Sequence, residues 1–328
     1  MFKQKIIVIF TLLLTSIGLA QQSVTLDFTA LVGDQPAACG VMYEGVGAED
    51  SQIEFQDLRF YVSNVRLINA AGEEVALELD GDSQWQHENV TLLDFEDGSA
   101  LCAQSGNEAM NTQITGTVPD GEYTGLVYSV GVPFDLNHAD VATAPAPLNV
   151  SSMWWNWQAG YKHVRIDIMS HSAAMNMGEM TMDEMTKTEG HDSGEDKTET
   201  AEGHGEDAEK AEGGHGGHGG HGAVSAGLWP FHLGSTGCVS DSGVVAPAAE
   251  CANPNVFEVR LESFNPDTDI IVADVSGMLS GVNLSQSLEL APPGCMSGAD
   301  DPDCSVLFTN LSLSGADTQT FFRSEAKE

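Results

Sequence analysis

The stretch FQDLRFYVSNVRLINAAG, residues 55–72, decides the fold class of this chain, together with EEVALELDGD, residues 73–82, which follows it. Apolar and polar side chains alternate along both pieces, and Asn69-Ala-Ala-Gly72 supplies a turn between them. The alternating apolar residues are Val65, Leu67, Val75, Leu77 and Leu79. This period of two, broken by turn residues, is typical of neighbouring β-strands.

Similar runs occur on both sides of this stretch. They are SVTLDFTALVG (23–33), QITGTVPDGEYTGLVYSVGVPF (113–134), YKHVRIDIMS (161–170), VFEVRLESF (256–264), DIIVADVSGML (269–279) and SVLFTNLSL (305–313). Short strands at near-regular spacing predict an all-β domain, either a sandwich or a barrel.

A long segment of different composition interrupts this pattern at residues 170–227. It consists mainly of Gly, Glu, Asp, Met, Thr and His, and it contains GGHGGHGGHG at 213–222. Such a segment has too little apolar surface to offset its ordering entropy, so we predict a disordered insertion. The chain is therefore interpreted as one β domain, residues 21–328, with a long loop inserted between two strands.

The first 20 residues have the layout of a secretory signal peptide. Lys3 and Lys5 precede an apolar run from Ile6 to Leu14, and Ala20 marks the expected cleavage site. The alternative is an uncleaved anchor, but the run is shorter than the roughly 20 residues of a spanning helix. We expect a periplasmic protein without a membrane span after cleavage.

The six cysteines are consistent with export. None of them forms a CxxC pair, and in an oxidising compartment an even number indicates disulfides. Although 15 pairings are possible in principle, the short separations favour Cys238–Cys251 and Cys295–Cys304, which leaves Cys39–Cys102.

The net charge of -37 excludes a nucleic-acid binder that neutralises phosphates, and it favours cationic partners such as metal ions. The sequence contains no GxSxG, HExxH, Walker or dinucleotide motif. We therefore predict a binding protein rather than an enzyme.

The insertion is rich in potential metal ligands. Imidazole binds copper, zinc and nickel, and thioethers select Cu(I). The candidates here are His171, Met175, Met177, Met180, His215, His218 and His221. The alternative is a solvated linker, since nothing in the sequence pre-organises these side chains.

Outside the insertion, Trp85 and His87 lie two residues apart and would share one face of a strand. His138 follows an apolar strand, His232 lies close to Cys238, and His163 lies within a strand-like run. Spacing alone does not separate these histidines from a structural role.

Tryptophans cluster at Met153-Trp-Trp-Asn-Trp157, where strand alternation would place Met153, Trp155 and Trp157 on one face, most simply in the core.

Seven segments together resemble the MbnP-like family, also called metallo-mystery-pair four-Cys-motif proteins. They are DLRFYVSNVRLI (57–68), WQHENVTLLDFEDG (85–98), GEYTGLVYSVGVPFDLNHAD (121–140), PLNVSSMWWNWQAGYKHVRID (147–167), FHLGSTGC (231–238), CANPN (251–255) and GCMSGADDPDC (294–304). The resemblance runs from about Val24 to Phe322, and the insertion is the departure from it.

The resemblance implies a periplasmic antiparallel β-sandwich that binds copper and is related to the copper proteins CorA and MopE. It also implies a dihaem, cytochrome c peroxidase-like partner of the MauG/MbnH type, which oxidises a tryptophan of the protein to kynurenine. The kynurenine amine and histidines then hold copper.

On this sequence, the family's Trp-x-His pattern falls on Trp85 and His87, and the second histidine matches His138. Indole N–H only donates hydrogen bonds, whereas the aryl amine of kynurenine has a lone pair for copper. Trp155 and Trp157 remain alternatives for the modified residue. His232 is a reserve ligand.

Two other functions stay open at this point. A copper-dependent redox enzyme would need an open copper position, and a structural β domain would chelate metal only through its insertion.

Overall fold

The computed structural model describes residues 20–81, 84–104, 106, 108–171, 227–242, 245–284, 294–315 and 318–327. The expected signal peptide and nearly all of the predicted insertion lie outside these residues.

The smaller of two sheets gathers strands from both ends of the chain. It contains β1 (Gln21–Val32), β2 (Gln35–Pro36), β6 (Glu78–Leu79), β9 (Gln113–Pro119), β15 (Asp269–Asp274) and β16 (Phe322–Ala326). Their order is β16-β15-β1-β9-β6, with β2 beside β1. β1 and β15 are parallel, which departs from the antiparallel pattern that we predicted. Because 236 residues lie between them, no tight turn fixes their relative direction.

The larger sheet carries the remaining strands. They are β3 (Tyr43–Val46), β4 (Ser51–Asn69), β5 (Glu74–Ala76), β7 (Gln86–His87), β8 (Val90–Asp94), β10 (Tyr123–Val130), β11 (Trp154–Asn156), β12 (Gly160–Ser170), β13 (Leu228–Gly234) and β14 (Phe257–Leu261). Within the described residues, the helices are α1 (Phe134–Asn137), α2 (Val275–Met278) and α3 (Cys304–Asn310), with 3₁₀ turns at Ala100–Gln104 and Ser151–Met153.

Strand β4, which contains most of the stretch 55–72, organises the larger sheet. It has 19 residues and pairs with β3, β5, β8, β10 and β12. The following run, 73–82, does not form one strand. Its first part is β5 beside β4, and its second part is β6 beside β9, so the chain crosses between the sheets at Leu77.

The two sheets share one apolar core. Leu58 and Phe60 of β4 and Leu26 and Phe28 of β1 are all buried in it. The rings of Phe28 and Tyr128 meet edge to face across the sheets, with centroids 6.0 Å apart. The all-β prediction is confirmed, in a mixed rather than purely antiparallel arrangement.

The strand prediction for residues 305–313 was wrong, because this run forms helix α3. Leu307 and Leu311 are four residues apart and both buried, as one face of a helix requires, and Leu311 N–H donates to the Leu307 carbonyl. Periodicity does not distinguish helix from strand in so short an apolar run.

All three expected disulfides are present. Cys39 is bonded to Cys102, Cys238 to Cys251 and Cys295 to Cys304.

The insertion leaves from the β12–β13 hairpin. Ser170 N–H donates to the Gly227 carbonyl at 2.6 Å, so the two ends of the insertion meet beside paired strands. Within the part of the chain that the structure describes, no helix has the length and hydropathy needed to cross a membrane.

Candidate metal centre

The second face of the larger sheet, opposite the shared core, carries most of the candidate site residues. Residues 131–159, which we call the cover segment, lie between β10 and β12 and pack on this face. The apolar cluster between them contains Tyr61, Val90, Leu92, Val132, Leu148, Met153 and Tyr161. The Tyr61 hydroxyl donates to the Pro147 carbonyl at 3.1 Å, and the Tyr161 hydroxyl donates to the Leu148 carbonyl. These bonds fix the cover segment to the sheet.

Trp85 and His87 lie at the start of the β7–β8 hairpin. Between them, Gln86 is buried and exchanges hydrogen bonds with the backbone of Thr115 on β9. Trp85 and His87 are both half-buried, and alternation around Gln86 is consistent with the predicted shared face. Trp85 packs against the apolar cluster, and His87 Nε2 lies 3.5 Å from Glu88 Oε1.

His138 is buried at the C-terminal end of α1. Its Nδ1 lies 3.2 Å from the Trp157 carbonyl, and its Nε2 lies 3.7 Å from Cys251 Sγ and 3.4 Å from Asn137 Nδ2. Burial lowers the pKa of His138, and the Trp157 carbonyl opposes this effect only in part. The neutral imidazole, which is the form that binds metals, is therefore favoured.

The structure brings the Trp85 and His138 segments to the same cluster, since Trp85, Leu136 and Ala139 all pack against it. Within the ranges that the structure describes, His138 belongs to a group of three close ligand side chains with Cys238 and Cys251, and His87 belongs to no group of that size. Among the described residues, two groups of three or more close metal-ligand side chains occur, and both include disulfide cysteines.

His232 lies on β13 in a different setting from His138. Its Nε2 is 2.7 Å from Asp167 Oδ1, and Arg165 also pairs with Asp167, at 2.7 Å. Burial opposes ionisation of Asp167, but the hydrogen bond from His232 and the charge of Arg165 more than offset it, so the pKa of Asp167 lies well below its usual value. Burial also lowers the pKa of His232. A neutral imidazole whose N–H is held by a carboxylate is a common arrangement for a metal ligand.

Charged side chains extend from this pair across the face. Asp57 lies opposite Asp167 and Arg59 lies opposite Arg165 in the β4–β12 register. Arg59 donates two hydrogen bonds to Asp57, and Arg165 Nη1 lies 3.0 Å from Asp57. We call these four residues the charge ladder. Charged residues between apolar ones in a strand usually face solvent, and for that reason the sequence reasoning missed them.

Two groups beside the ladder have shifted pKa values. Burial, with a contribution from Arg165, lowers the pKa of Lys162 to about 8, and its ammonium donates to the Ser152 carbonyl at 2.8 Å. Burial raises the pKa of Asp94 to about 7, although Arg59 opposes this change.

His163 has a structural role. It is fully buried, its Nδ1 accepts from Val132 N–H at 3.1 Å, and its Nε2 lies 3.0 Å from the Pro254 carbonyl. Burial lowers its pKa to about 4. With both ring nitrogens engaged, this residue has no position left for a metal.

The tryptophans of 153–157 do not share the face that strand alternation predicted. Met153 is buried, but Trp157 packs edge to face on Trp154 with ring centroids 5.8 Å apart. Trp155 instead lies against Gly234, where an added Cβ would come within 2.5 Å of the indole. A 3₁₀ turn and a register shift in β11 break the alternation. Trp155 therefore contacts β13 at Gly234, two residues from His232.

Of the candidates in the insertion, the structure describes His171 alone, whose Nε2 lies 4.0 Å from Glu54 Oε2. The others, Met175, Met177, Met180, His215, His218 and His221, lie outside the described residues.

Comparison with known proteins gives a consistent result. A sequence model of the MbnP family matches residues 21–297. The structure is similar to that of MbnP from Methylosinus trichosporium, with a TM-score of 0.67 and 27% sequence identity, covering 94% of this chain and 100% of that one. No curated protein matches the chain. Because the family match spans most of its length, the chain belongs to the MbnP family.

Proposed function

We propose that this chain is an exported, periplasmic copper-binding protein rather than an enzyme. Its membership of the MbnP family supports a role in copper handling linked to methanobactin. The copper ligands in this proposal are His87, His138 and Trp85 after conversion to kynurenine. A dihaem partner of the MauG/MbnH type carries out the conversion.

The observation that carries this proposal is the position of Trp85. It is half-buried, two residues from His87, and packs on the same cluster as the residues flanking His138. The ligand atoms are of a type that copper binds, because kynurenine adds an amine nitrogen to two imidazoles. Burial lowers the pKa of His138, which favours its neutral, metal-binding form.

The modification is an oxidation that balances with peroxide as the oxidant. Two molecules of hydrogen peroxide deliver two oxygen atoms across the C2–C3 bond of the indole and leave two waters. Hydrolysis of the resulting N-formylkynurenine consumes one water and releases formate. The freed aryl amine is the new ligand.

A second candidate centre pairs Trp155 with His232. Trp155 lies against Gly234 on the strand that carries His232, and Asp167 holds His232 Nε2 at 2.7 Å. The chemistry is the same, and only the modified tryptophan and its histidine differ.

The test is peptide mass mapping of the full chain produced with and without the dihaem partner, followed by copper analysis. We expect kynurenine at position 85 and copper retention only with the partner. Trp85→Phe should abolish both effects, whereas Trp155→Phe should leave them unchanged.

If kynurenine forms at position 155 instead, the copper ligands are the modified Trp155 and His232, and the assignment to Trp85 is wrong. If no tryptophan is modified, or if copper is retained equally without the partner, the proposal is wrong.

Two measurements address the other functions. Loss of all copper on deletion of residues 172–226 would favour chelation by the insertion. Sustained turnover of a redox substrate by the copper-loaded protein would favour an enzyme.

A further inference from the structure

We infer that Cys238, Cys251 and His138 form a second metal site, which opens when the Cys238–Cys251 disulfide is reduced and which binds Cu(I). This site does not require oxidation of any tryptophan, and it shares only His138 with the proposed kynurenine centre.

The distances already match a ligand set. One potential ligand atom from each of the three residues lies within 4.8 Å of the other two, and His138 Nε2 is 3.7 Å from Cys251 Sγ. A nitrogen and a sulfur that share a tetrahedral ion of zinc size are about 3.6 Å apart. The two sulfurs have to separate to about 3.8 Å, and breaking their bond allows this movement.

The orientation of His138 also suits metal binding. Its Nδ1 is 3.2 Å from the Trp157 carbonyl, which places the proton on Nδ1 and the lone pair on Nε2, towards Cys251. Metal-binding histidines commonly donate their second N–H to a carbonyl in this way. Asn137 Nδ2 lies 3.4 Å from His138 Nε2 and also donates to Ser235 Oγ. When a metal takes the place of Asn137 at Nε2, the hydrogen bond to Ser235 remains.

The disulfide lies just beneath the protein surface, with Cys238 8% and Cys251 6% exposed. Cys251 lines a cavity of about 250 Å³ together with Phe134, Asn137 and Ser235. The bond closes residues 238–251, a loop in which Val239 is 82% exposed. Reduction would therefore release a surface loop rather than open the apolar core. The Cys295–Cys304 bond lies deeper, with its cysteines 0% and 1% exposed.

The reaction balances with a dithiol as reductant. A protein or small-molecule dithiol gives two electrons and two protons to the Cys238–Cys251 bond and becomes a disulfide itself. Binding of Cu(I) then releases the two thiol protons, because metals bind thiolates. Two thiolates and one imidazole form a soft, three-ligand set, which suits Cu(I).

The experiment uses the full chain produced without the dihaem partner, so that every tryptophan is unmodified. The protein is treated anaerobically with a limited amount of dithiothreitol, freed of reductant and given Cu(I) as its acetonitrile complex. Alkylation by N-ethylmaleimide and peptide mapping then report each cysteine. We expect Cu(I) to slow alkylation of Cys238 and Cys251 by at least about tenfold.

Two comparisons make this result specific. Cys295 and Cys304, alkylated after full reduction, should gain no such protection, since no histidine completes a ligand group with them among the described residues. His138→Gln should remove the protection at Cys238 and Cys251. Equal protection of both cysteine pairs, or protection that survives His138→Gln, would overturn the inference. It would also be overturned if circular dichroism showed that this disulfide opens only when the whole chain unfolds.

Discussion

The two faces of strand β4 are equally buried but differently built. Leu58 and Phe60 on the inner face are 2% and 0% exposed, and Asp57 and Arg59 on the outer face are 0% and 1% exposed. The inner face stabilises the fold by removing apolar surface from water. The outer face holds charges, for which desolvation offsets much of their attraction. The inner face therefore supplies most of the net stability, whereas the outer face adds little net stability, is costly to disrupt, and provides a fixed electrostatic environment beside His232.

The largest expected difference between the faces comes from placing methionine at adjacent positions. Arg59→Met should lower the free energy of unfolding by about 3–5 kcal/mol, because it removes a buried cation and leaves Arg165 as the remaining partner of buried Asp57. Leu58→Met, on the inner face, should cost less than about 1.5 kcal/mol, because it conserves volume. Urea unfolding measures both variants. Equal losses would show that the ladder charges are not held as ion pairs.

A second difference is sensitivity to pH. Burial lowers the pKa of His163 to about 4 in the folded chain, so the unfolded chain binds a proton first as the pH falls. Stability from this residue is thus present above its unfolded pKa and declines below it. We expect the free-energy gap between wild type and His163→Gln to narrow by about 2 kcal/mol from pH 7 to pH 5.

The comparison with the variant is necessary because Asp94 acts in the opposite direction. Its raised pKa makes the folded chain bind a proton first, which adds stability as the pH falls from 7. The Asp94 effect is present in both wild type and variant and cancels in the difference, which leaves the His163 effect. A constant gap across this range would contradict the structural role of His163.

A smaller effect tests the attachment of the cover segment. Tyr61→Phe removes the hydrogen bond to the Pro147 carbonyl without changing the packing, and should cost about 1 kcal/mol. Hydrogen exchange should increase in residues 131–159 and stay unchanged in β1. If exchange rises equally in both regions, the hydroxyl does not fix the cover segment specifically.

The smallest expected effect concerns ion pairs at the rim of the same sheet. Arg66 lies 2.7 Å from Glu258, whose side chain is 54% exposed. Solvent screens this pair, so Glu258→Gln should change stability by no more than about 0.5 kcal/mol. A loss of stability as large as that of Arg59→Met would show that solvent exposure does not explain the difference between this pair and the charge ladder.

Sequence reasoning identified the inner face and missed the outer one for a definable reason. Alternation shows which residues share a side of a strand, so β4 and its core residues were predictable. It does not show whether a side faces water, and Asp57 is buried in ion pairs with Arg59 and with Arg165 of another strand. The disulfides followed from cysteine spacing. Trp155 was misplaced because a register shift next to a 3₁₀ turn leaves little trace in the sequence.

The hydrogen bond from Ser170 N–H to the Gly227 carbonyl has a practical consequence. It holds the two ends of the insertion together beside β12 and β13, so the sheet does not depend on what connects them. Each doubling of a flexible loop costs only about 0.6 kcal/mol, so segments of very different length are compatible with this junction. The junction is therefore a natural grafting point, where a reporter, an affinity tag or a foreign metal-binding peptide can replace the native segment.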